Sequence, residues 1–183
     1  MELETARLLL RPFREADAGD VFTYASDPRV GPIAGWPPHK SREESLEIIR
    51  TVFAAPGVFA MALRETGRVV GSVGFVDGHP AGLCPGCPDD ELGYALAPDC
   101  WGRGLVPEAS EAVLEYGFTQ LGLRRIWCGH YAGNWRSARC MDKCGFRYAF
   151  ARPTRAALLG EDRQTYYYLL TEEAWRGRIS GAL

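Results

Sequence analysis

The sequence lacks a long hydrophobic run. No apolar stretch approaches the about 18 residues of a membrane-spanning helix, and the N-terminus MELETARLLLRPF lacks a signal-peptide pattern. A strong charge of either sign is also missing, because 21 basic and 23 acidic residues leave a net charge of −2. We therefore expect a cytoplasmic protein whose main partner is neither nucleic acid nor a membrane.

Internal repeats, low-complexity tracts and linker-like segments are missing as well. The 183 residues are 46% hydrophobic and 24% charged, which is typical of a globular chain with a substantial core. We therefore predict one domain over residues 1–183.

The chain has little that suggests a zinc site. It contains six cysteines, and the CxxC at Cys84 and Cys87 lies in the Gly/Pro-rich loop HPAGLCPGCPDD near His79. A second CxxC at a suitable spacing is missing, and reduced thiols are the default without a secretory signal. We predict no metal site, with half a zinc site or a redox pair at this loop as the alternatives.

Turn signals and hydrophobic patterns divide the chain into short elements. They predict seven strands, at about 7–12, 58–65, 68–78, 91–97, 124–130, 146–152 and 164–171. They also predict four helices, at about 17–25, 43–53, 107–121 and 135–143. Asp17 is the expected N-cap of the first helix, and Ser41 with Glu44 has the spacing of a capping box for the second.

This order of elements predicts a mixed sheet with helices on both faces, in the α/β or α+β range. The crossover through the helix at 107–121 predicts that the strands at 91–97 and 124–130 are parallel neighbours. Thr66-Gly67 predicts a hairpin between the strands at 58–65 and 68–78.

The stretch from Glu91 to Ala112, ELGYALAPDCWGRGLVPEASEA, combines a strand, a glycine turn and a helix start. Gly102 and Gly104 lie in the turn, and Pro107 is expected at the first helical position. Unpaired N–H groups and the positive end of the helix dipole meet at such a place, which makes it a candidate anion site.

Three segments together resemble one known family. They are the loop WGRGLVPEA, the segment NWRSARCMDKCGF at 134–146, and the opening ETARLLLRPFREADAGDVFTYASDP. They resemble the GNAT superfamily of acyl-CoA-dependent N-acetyltransferases, in the subgroup related to ribosomal-protein N-acetyltransferases, over nearly the whole chain. The resemblance implies a GNAT-like fold, with a mixed central sheet of about seven strands flanked by about four helices, and acetyl-CoA as co-substrate.

The resemblance also implies which residues hold acetyl-CoA. Main-chain N–H groups of the glycine loop would bind the CoA pyrophosphate, and Arg103 and Lys143 would contact phosphate, with Arg139 as a further phosphate partner. Asn134 and Ser137 would lie beside the pantetheine, and main-chain groups of the preceding strand would bond its amides. The complete expected set is Tyr94, Ala95, Leu96, Trp101, Gly102, Arg103, Gly104, Leu105, Val106, Asn134, Ser137 and Lys143.

The resemblance also implies the catalytic groups, and this chain departs from the family pattern at one of them. Many members place a proton-donating tyrosine seven residues after the asparagine, where this chain has Met141. Ser137 is the expected substitute, with water as the alternative. Glu91 is the candidate general base through a water molecule, and His130 and His39 are the alternatives.

Aromatic and imidazole side chains are expected to line the acceptor side. By the same resemblance these are Trp36, His39, Phe75, Tyr94 and His130. We expect transfer of acetyl to a primary amine by direct attack in a ternary complex. A non-catalytic acyl-CoA-binding sensor and a zinc-dependent interaction site at Cys84 and Cys87 are the competing readings. A homodimer is possible in this interpretation, through an edge strand at QTYYYLL.

Overall fold

The computed structural model describes residues 1–76 and 88–180. The strands described are β1 (Leu3–Glu4), β2 (Leu8–Arg11), β3 (Val58–Leu63), β4 (Val69–Val76), β5 (Asp89–Leu96), β6 (Arg125–Tyr131), β7 (Arg147–Ala156) and β8 (Glu161–Thr171). The α-helices described are α1 (Ala18–Ala25), α2 (Gly31–Ala34), α3 (Arg42–Thr51), α4 (Leu105–Thr119), α5 (Trp135–Lys143) and α6 (Glu172–Ser180).

In these ranges the eight strands form one sheet, in the order β1-β2-β3-β4-β5-β6-β8-β7. Strands β5 and β6 are parallel and the other neighbours are antiparallel. The mixed sheet, the parallel pair and the hairpin of β3 and β4 are confirmed. The sequence patterns did not predict β1, α2 and α6, because β1 and α2 are too short to show a period and α6 has few apolar residues.

Helices cover the sheet on both faces. On one face α4 packs closely, since a Cβ on its Gly117 would come within 2.6 Å of the Phe75 ring and 3.0 Å of Ile126. On the other face α1 packs against β4, where Tyr24 lies beside Ser72. Side chains alternate along a strand, so Ser72 and Phe75 project from opposite faces. We call these the α1 face and the α4 face.

Strands β5 and β6 pair over a short stretch and then separate. Their register joins Asp89–Glu91 to Arg125–Trp127, although both strands continue further. Beyond Glu91 and Trp127, no residues of the two described strands pair with each other. We call the opening the β5–β6 gap.

Main-chain groups of β5 line this gap in an alternating pattern. The Arg124 N–H donates to the Pro88 carbonyl on the β6 side, and the Ala97 N–H donates to the Val70 carbonyl on the β4 side. Successive residues of a strand direct their N–H and C=O groups to alternate sides. Because Pro88 faces β6 and Ala97 faces β4, the main-chain groups of Tyr94 and Leu96 face the gap. Those of Ala95 are directed towards its partner Ser72 on β4.

Asp17 is the N-cap residue of α1, as predicted, whereas the predicted start of α4 at Pro107 was wrong. Asp17 does not cap α1 with its side chain, because its carboxylate accepts hydrogen bonds from the buried Arg11 guanidinium at 2.8 and 2.9 Å. Helix α4 begins at Leu105, so Pro107 is its third residue and not its first. Gly104, in a left-handed conformation, starts that helix two residues earlier than the proline suggested.

The predicted box at α3 is half formed. The Ser41 Oγ accepts the Glu44 N–H at 3.2 Å, as expected. The Glu44 carboxylate, however, accepts the Lys40 N–H at 2.5 Å rather than the N–H of Ser41. The Glu44 carboxylate therefore accepts an N–H group one residue upstream of the N-cap residue Ser41.

The expected edge strand at the C-terminus was also wrong. QTYYYLL belongs to β8, which pairs with β6 on one side and β7 on the other. The last hairpin folds back so that its second strand inserts next to β6, which leaves β7 at the edge of the described sheet. Within residues 1–76 and 88–180, none of the helices is both long and apolar enough to cross a bilayer.

Candidate active site

The glycine loop leads from β5 into α4 through two left-handed residues. Gly102 has φ +75° and Gly104 has φ +76°, a region that residues with a Cβ adopt at a cost. Leu105 and Val106, the first two helical residues, are buried. The first N–H groups of a helix have no acceptor within that helix, so this loop presents donors and the positive end of a 15-residue helix together.

Contacts from the N-terminal segment fix the loop in place. The Arg7 guanidinium donates to the Arg103 carbonyl at 2.8 Å and pairs with the Glu108 carboxylate at 2.6 Å. Glu108 also accepts the Thr5 hydroxyl at 2.6 Å. Burial alone would raise the pKa of Glu108, but the hydrogen bonds from Thr5 and Arg7 lower it below its ordinary value. The loop is therefore braced by a carboxylate that is held in its charged form.

The Trp101 side chain contacts both the end of β5 and a residue of α5. Its indole N–H donates to the Leu96 carbonyl at 2.9 Å. The Arg136 guanidinium lies 4.5 Å from the indole ring centroid, and that of Arg29 lies 5.8 Å away. The sequence reasoning named Arg103, Arg139 and Lys143 as cations but missed Arg136, because nothing local shows that α5 directs it at Trp101.

The start of α5 faces the gap. The Asn134 Oδ1 accepts the Ser137 N–H at 3.3 Å and caps the helix. The Ser137 Oγ lies 2.8 Å from the Tyr94 hydroxyl, which is also 3.2 Å from the Ser137 carbonyl. Burial raises the pKa of Tyr94 well above its ordinary value, so its phenol stays protonated. Met141 is buried beneath this pair.

The far end of α5 returns to the glycine loop. The Cys144 sulfur lies 3.9 Å from the Pro107 carbonyl, in the first turn of α4. Lys143 precedes it and is exposed, as are Arg139 and Arg136. These three cations are spaced so that they lie along one side of α5. Arg136 over Trp101 shows that this side borders the loop.

Glu91 lies on the other face of the sheet. A Cβ added to Gly129 of β6 would be 3.1 Å from the Glu91 Oε1 and 3.2 Å from the Tyr167 ring. Burial raises the pKa of Tyr167 first, and the negative charge of Glu91 raises it further. Glu91 and Tyr94 are three positions apart along the strand, so their side chains leave from opposite faces. The gap therefore separates Glu91 on the α1 face from the Tyr94–Ser137 pair on the α4 face.

Two of the expected acceptor residues lie together. The rings of Trp36 and His39 are 5.3 Å apart, between α2 and α3. The His39 Nδ1 is 2.8 Å from the Ser45 Oγ, and burial lowers the pKa of His39. The backbone at Gly35 runs against Tyr131 of β6, since a Cβ there would be 2.8 Å from the tyrosine ring. This segment therefore closes one side of the α1 face next to the gap.

The structure places two other expected acceptor residues elsewhere. Phe75 is in the core beneath Gly117 of α4. His130 is 4% exposed, lies on the α4 face and stacks on Tyr166. Its Nδ1 is 2.9 Å from the Tyr131 carbonyl, and its Nε2 is buried without a protein partner in the described residues. Neither residue joins Trp36 and His39.

None of the described thiols is set up as a nucleophile. Burial raises the pKa of Cys140, that of Cys144 to about 12, and that of Cys128 well above its ordinary value. Cys84, Cys87 and His79 lie outside the described residues. Among residues 1–76 and 88–180, no three His, Cys, Asp or Glu side chains are grouped to hold a metal ion.

A separate cavity of about 180 Å³ lies between α1 and the end of β5, away from the gap. Its carboxylates are engaged already, because Asp20 accepts the Val69 N–H at 2.8 Å and Asp99 pairs with Arg68 at 2.8 Å. Asp27, its third carboxylate, pairs with Arg29 at 2.6 Å, so the cavity offers an amine no carboxylate without a partner and the gap is the better candidate for chemistry.

Comparison with known proteins agrees with this geometry. The model of the acetyltransferase (GNAT) domain matches residues 7–147. YoaA of Bacillus subtilis (strain 168), named an uncharacterized N-acetyltransferase, is 33% identical over 79% of this chain and 82% of its own. A GNAT-family acetyltransferase structure from Bacillus anthracis has a TM-score of 0.82 at 27% identity, over 94% of this chain and 99% of the other.

A ribosomal-protein-S5-alanine acetyltransferase from Vibrio fischeri shares the fold, with a TM-score of 0.72 at 17% identity over 96% of this chain and 98% of that one. The family match covers most of the chain and includes β5, the glycine loop and α5. The chain belongs to the GNAT family of acetyltransferases.

Proposed function

We propose that this protein transfers an acetyl group from acetyl-CoA to a primary amine, by direct attack in a ternary complex. One observation carries the proposal. The β5–β6 gap opens between a face that carries Tyr94, Ser137 and the glycine loop and a face that carries Glu91. A thioester entering the gap from the α4 face would meet an amine arriving from the α1 face.

The α4 face has the groups that acetyl-CoA requires. The N–H groups from Gly102 to Val106 and the N-terminus of α4 suit the pyrophosphate. The Tyr94 and Leu96 main chains face the gap and suit the pantetheine amides, with the Leu96 N–H left to donate because Trp101 takes its carbonyl. We assign no amide contact to Ala95, since its groups pair with β4.

Cations on both sides of the loop would neutralise the phosphates. Arg103 is on the loop, and Arg136, Arg139 and Lys143 line the neighbouring side of α5. Asn134 would contribute chiefly by capping α5, which fixes where Ser137 stands. This role for Asn134 differs from a direct contact with pantetheine and follows from its hydrogen bond.

The acceptor loses one proton to solvent to become a neutral nucleophile and a second proton as the amide forms. At pH 7.5 the first loss costs about 0.7 kcal/mol for an α-amino group and about 4 kcal/mol for a lysine side chain. We propose that Glu91 accepts the second proton through a water molecule. His39 is the second choice, since its lowered pKa keeps it neutral but Ser45 engages its Nδ1. His130 lies on the opposite face.

The reaction then needs little acid catalysis. The amine nitrogen bonds to the thioester carbonyl carbon, one proton passes from nitrogen through water to Glu91, and the C–S bond breaks with its electron pair on sulfur. The Ser137 hydroxyl, itself bonded to Tyr94, donates a hydrogen bond to that sulfur. A thiol pKa of about 8.5 makes thiolate a tolerable leaving group, and solvent supplies the final proton of free CoA.

A thiol-release assay with acetyl-CoA tests the proposal. The acceptors are N-terminal peptides of ribosomal proteins, free amino acids, polyamines and amine antibiotics, because the GNAT fold does not fix the acceptor. We expect release that depends on one of these amines, together with a product heavier by one acetyl group. Acetyl-CoA binding without product from any class would favour the non-catalytic sensor instead.

A further inference from the structure

We propose that the preferred acceptor carries an anionic group near its amine, and that Arg152 of β7 binds this anion. The inference deepens the proposed function and rests on it, because it concerns the acceptor side of the same gap. Three observations support it. Arg152 and Glu91 lie on the same face of the sheet, Arg152 has no carboxylate partner in the described residues, and the distance between the two residues suits a small molecule.

Arg152 shares the α1 face with Glu91. In the register of β6, β8 and β7, Gly129 stands opposite Tyr167, and Thr165 stands opposite Arg152. Directly opposed residues project on the same side of a sheet. The Glu91 carboxylate already lies over Gly129 and beside Tyr167. One continuous surface of the α1 face therefore runs from Glu91 across Tyr167 to Arg152, and we call this surface the floor.

Tyr167 lies between the two charges. The Arg152 guanidinium is 5.6 Å from its ring centroid and 5.9 Å from that of Phe150. Glu91 and Arg152 act on the Tyr167 hydroxyl in opposite directions, the first raising its pKa and the second lowering it, after the larger effect of burial. Both charged groups thus reach the same phenol from opposite sides.

Arg152 is also a cation of this face that keeps its charge available, as is Arg147, which stands opposite Leu169 on the same face. Arg152 is exposed, and within the described ranges no carboxylate lies within salt-bridge distance of it. Arg163 on the same face is engaged, since it pairs with Glu161 and donates to the Pro32 carbonyl at 2.5 Å. Arg155, three residues along β7, pairs with Asp162 at 3.2 Å. Arg152 is thus a cation beside Tyr167 with which an anion on this side can pair.

The spacing limits the acceptor to a compact molecule. Gly129 of β6 and Arg152 of β7 are two strand steps apart, about 10 Å, and are offset by two residues, about 7 Å, along the strands. The Arg152 side chain reaches back along this offset to the ring of Tyr167, which is level with Gly129. Hydrogen bonds of about 3 Å at either end leave a few ångströms between amine and anion. A few covalent bonds span that distance, as in a small amino acid or an acidic residue next to a peptide N-terminus.

The segment around α2 encloses the same space. Arg163 ties it to β8 through Pro32 and lies 5.3 Å from the Tyr131 ring, against which Gly35 packs. A carboxylate that binds the exposed Arg152 beside this segment would form a charge-assisted hydrogen bond, which is stronger than a neutral one. The arrangement therefore favours a small zwitterion over a long polyamine, which brings no negative charge.

Matched acceptors that differ only in charge test this inference. We would measure thiol release for β-alanine against β-alaninamide and for 4-aminobutyrate against 4-aminobutanamide. A peptide pair beginning Ala-Asp or Ala-Asn distinguishes a free amino acid from a peptide source. We expect the acid to exceed the amide about tenfold in kcat/KM for wild type, and the ratio to fall close to one in Arg152→Gln.

Arg155→Gln is the matched control, since it removes a charge from the same strand and should keep the wild-type ratio. Comparing ratios between variants cancels the small difference in amine pKa between acid and amide. Equal acid-to-amide ratios in wild type and Arg152→Gln would overturn the inference. If no amine is acetylated at all, the proposed function fails instead. Calorimetric binding of 4-aminobutyrate to the CoA-saturated protein, about tenfold weaker in Arg152→Gln, then decides the Arg152 site separately.

Discussion

The two faces of the β5–β6 gap are built from different groups. On the α4 face the main chain dominates: glycines with positive φ, the start of α4 and the strand amides of Tyr94 and Leu96. On the α1 face side chains dominate: Glu91, Tyr167 and Arg152 on the sheet, with Trp36 and His39 at its border.

This difference has a consequence for specificity. Main-chain donors depend on the conformation of the backbone and tolerate most changes of side chain, so a shared co-substrate suits the α4 face. Side chains on the α1 face can change without disturbing a strand, so this face can differ between relatives with different acceptors. Substitutions on the two faces should accordingly fail in different ways, one in co-substrate affinity and the other in turnover or acceptor choice.

The largest effect is expected from Glu91→Gln. Loss of the general base should lower kcat at pH 7.5 by about 100-fold or more, while the affinity for acetyl-CoA changes little. Glu115→Gln on the exposed side of α4 is the control and should leave both quantities unchanged. Turnover that is the same as wild type across the pH range would remove Glu91 from the mechanism and break the contrast between the faces.

Gly104→Ala tests the α4 face by its backbone. A Cβ at φ +76° costs about 1–2 kcal/mol and turns the loop N–H groups away from the pyrophosphate, so the Kd for acetyl-CoA should rise about tenfold. Gly122→Ala carries the same strain at φ +68° with open space around it and lies at the other end of α4. Both variants should lose a similar amount of thermal stability, but only Gly104→Ala should bind acetyl-CoA more weakly. If both variants lose the same acetyl-CoA affinity, the loss comes from backbone strain and not from the glycine loop.

The Tyr94–Ser137 pair gives a smaller effect. Ser137→Ala removes the donor to the leaving sulfur and should lower kcat about tenfold, with a smaller decrease in Tyr94→Phe because the serine hydroxyl remains. The decrease should shrink with a thioester whose thiol is more acidic. A decrease that is independent of the leaving group would assign the pair to positioning of α5.

The cofactor side was predictable from sequence because its signals are local. Gly102 and Gly104 stand where the chain needs positive φ, and few residue types do that without cost. The crossover through α4 required β5 and β6 to be parallel. The glycines needed only their neighbours along the chain, and the parallel pair needed the one run from β5 through α4 to β6.

The acceptor side was harder to predict because it depends on which face a strand turns inward. Alternation along β4 is visible in the sequence, but it does not say whether Phe75 meets α4 or α1. The same holds for His130, whose ring lies on the face opposite Glu91. The edge prediction for β8 failed for a related reason, since strand order within a hairpin depends on long-range pairing. Arg152 became visible once β6, β8 and β7 were in register.

The smallest effect is expected from Arg136→Gln, which tests whether side chains also contribute to the α4 face. Removing the guanidinium over Trp101 should weaken acetyl-CoA binding about fivefold at low salt, and less at high salt, where phosphate charges are screened. Trp101 loses a cation from its ring, so its fluorescence should change even without ligand. Arg147→Gln, an exposed charge on β7, is the control. If Arg136→Gln changes the fluorescence but not the affinity at any salt concentration, the stack is structural, and the co-substrate side depends on the main chain alone.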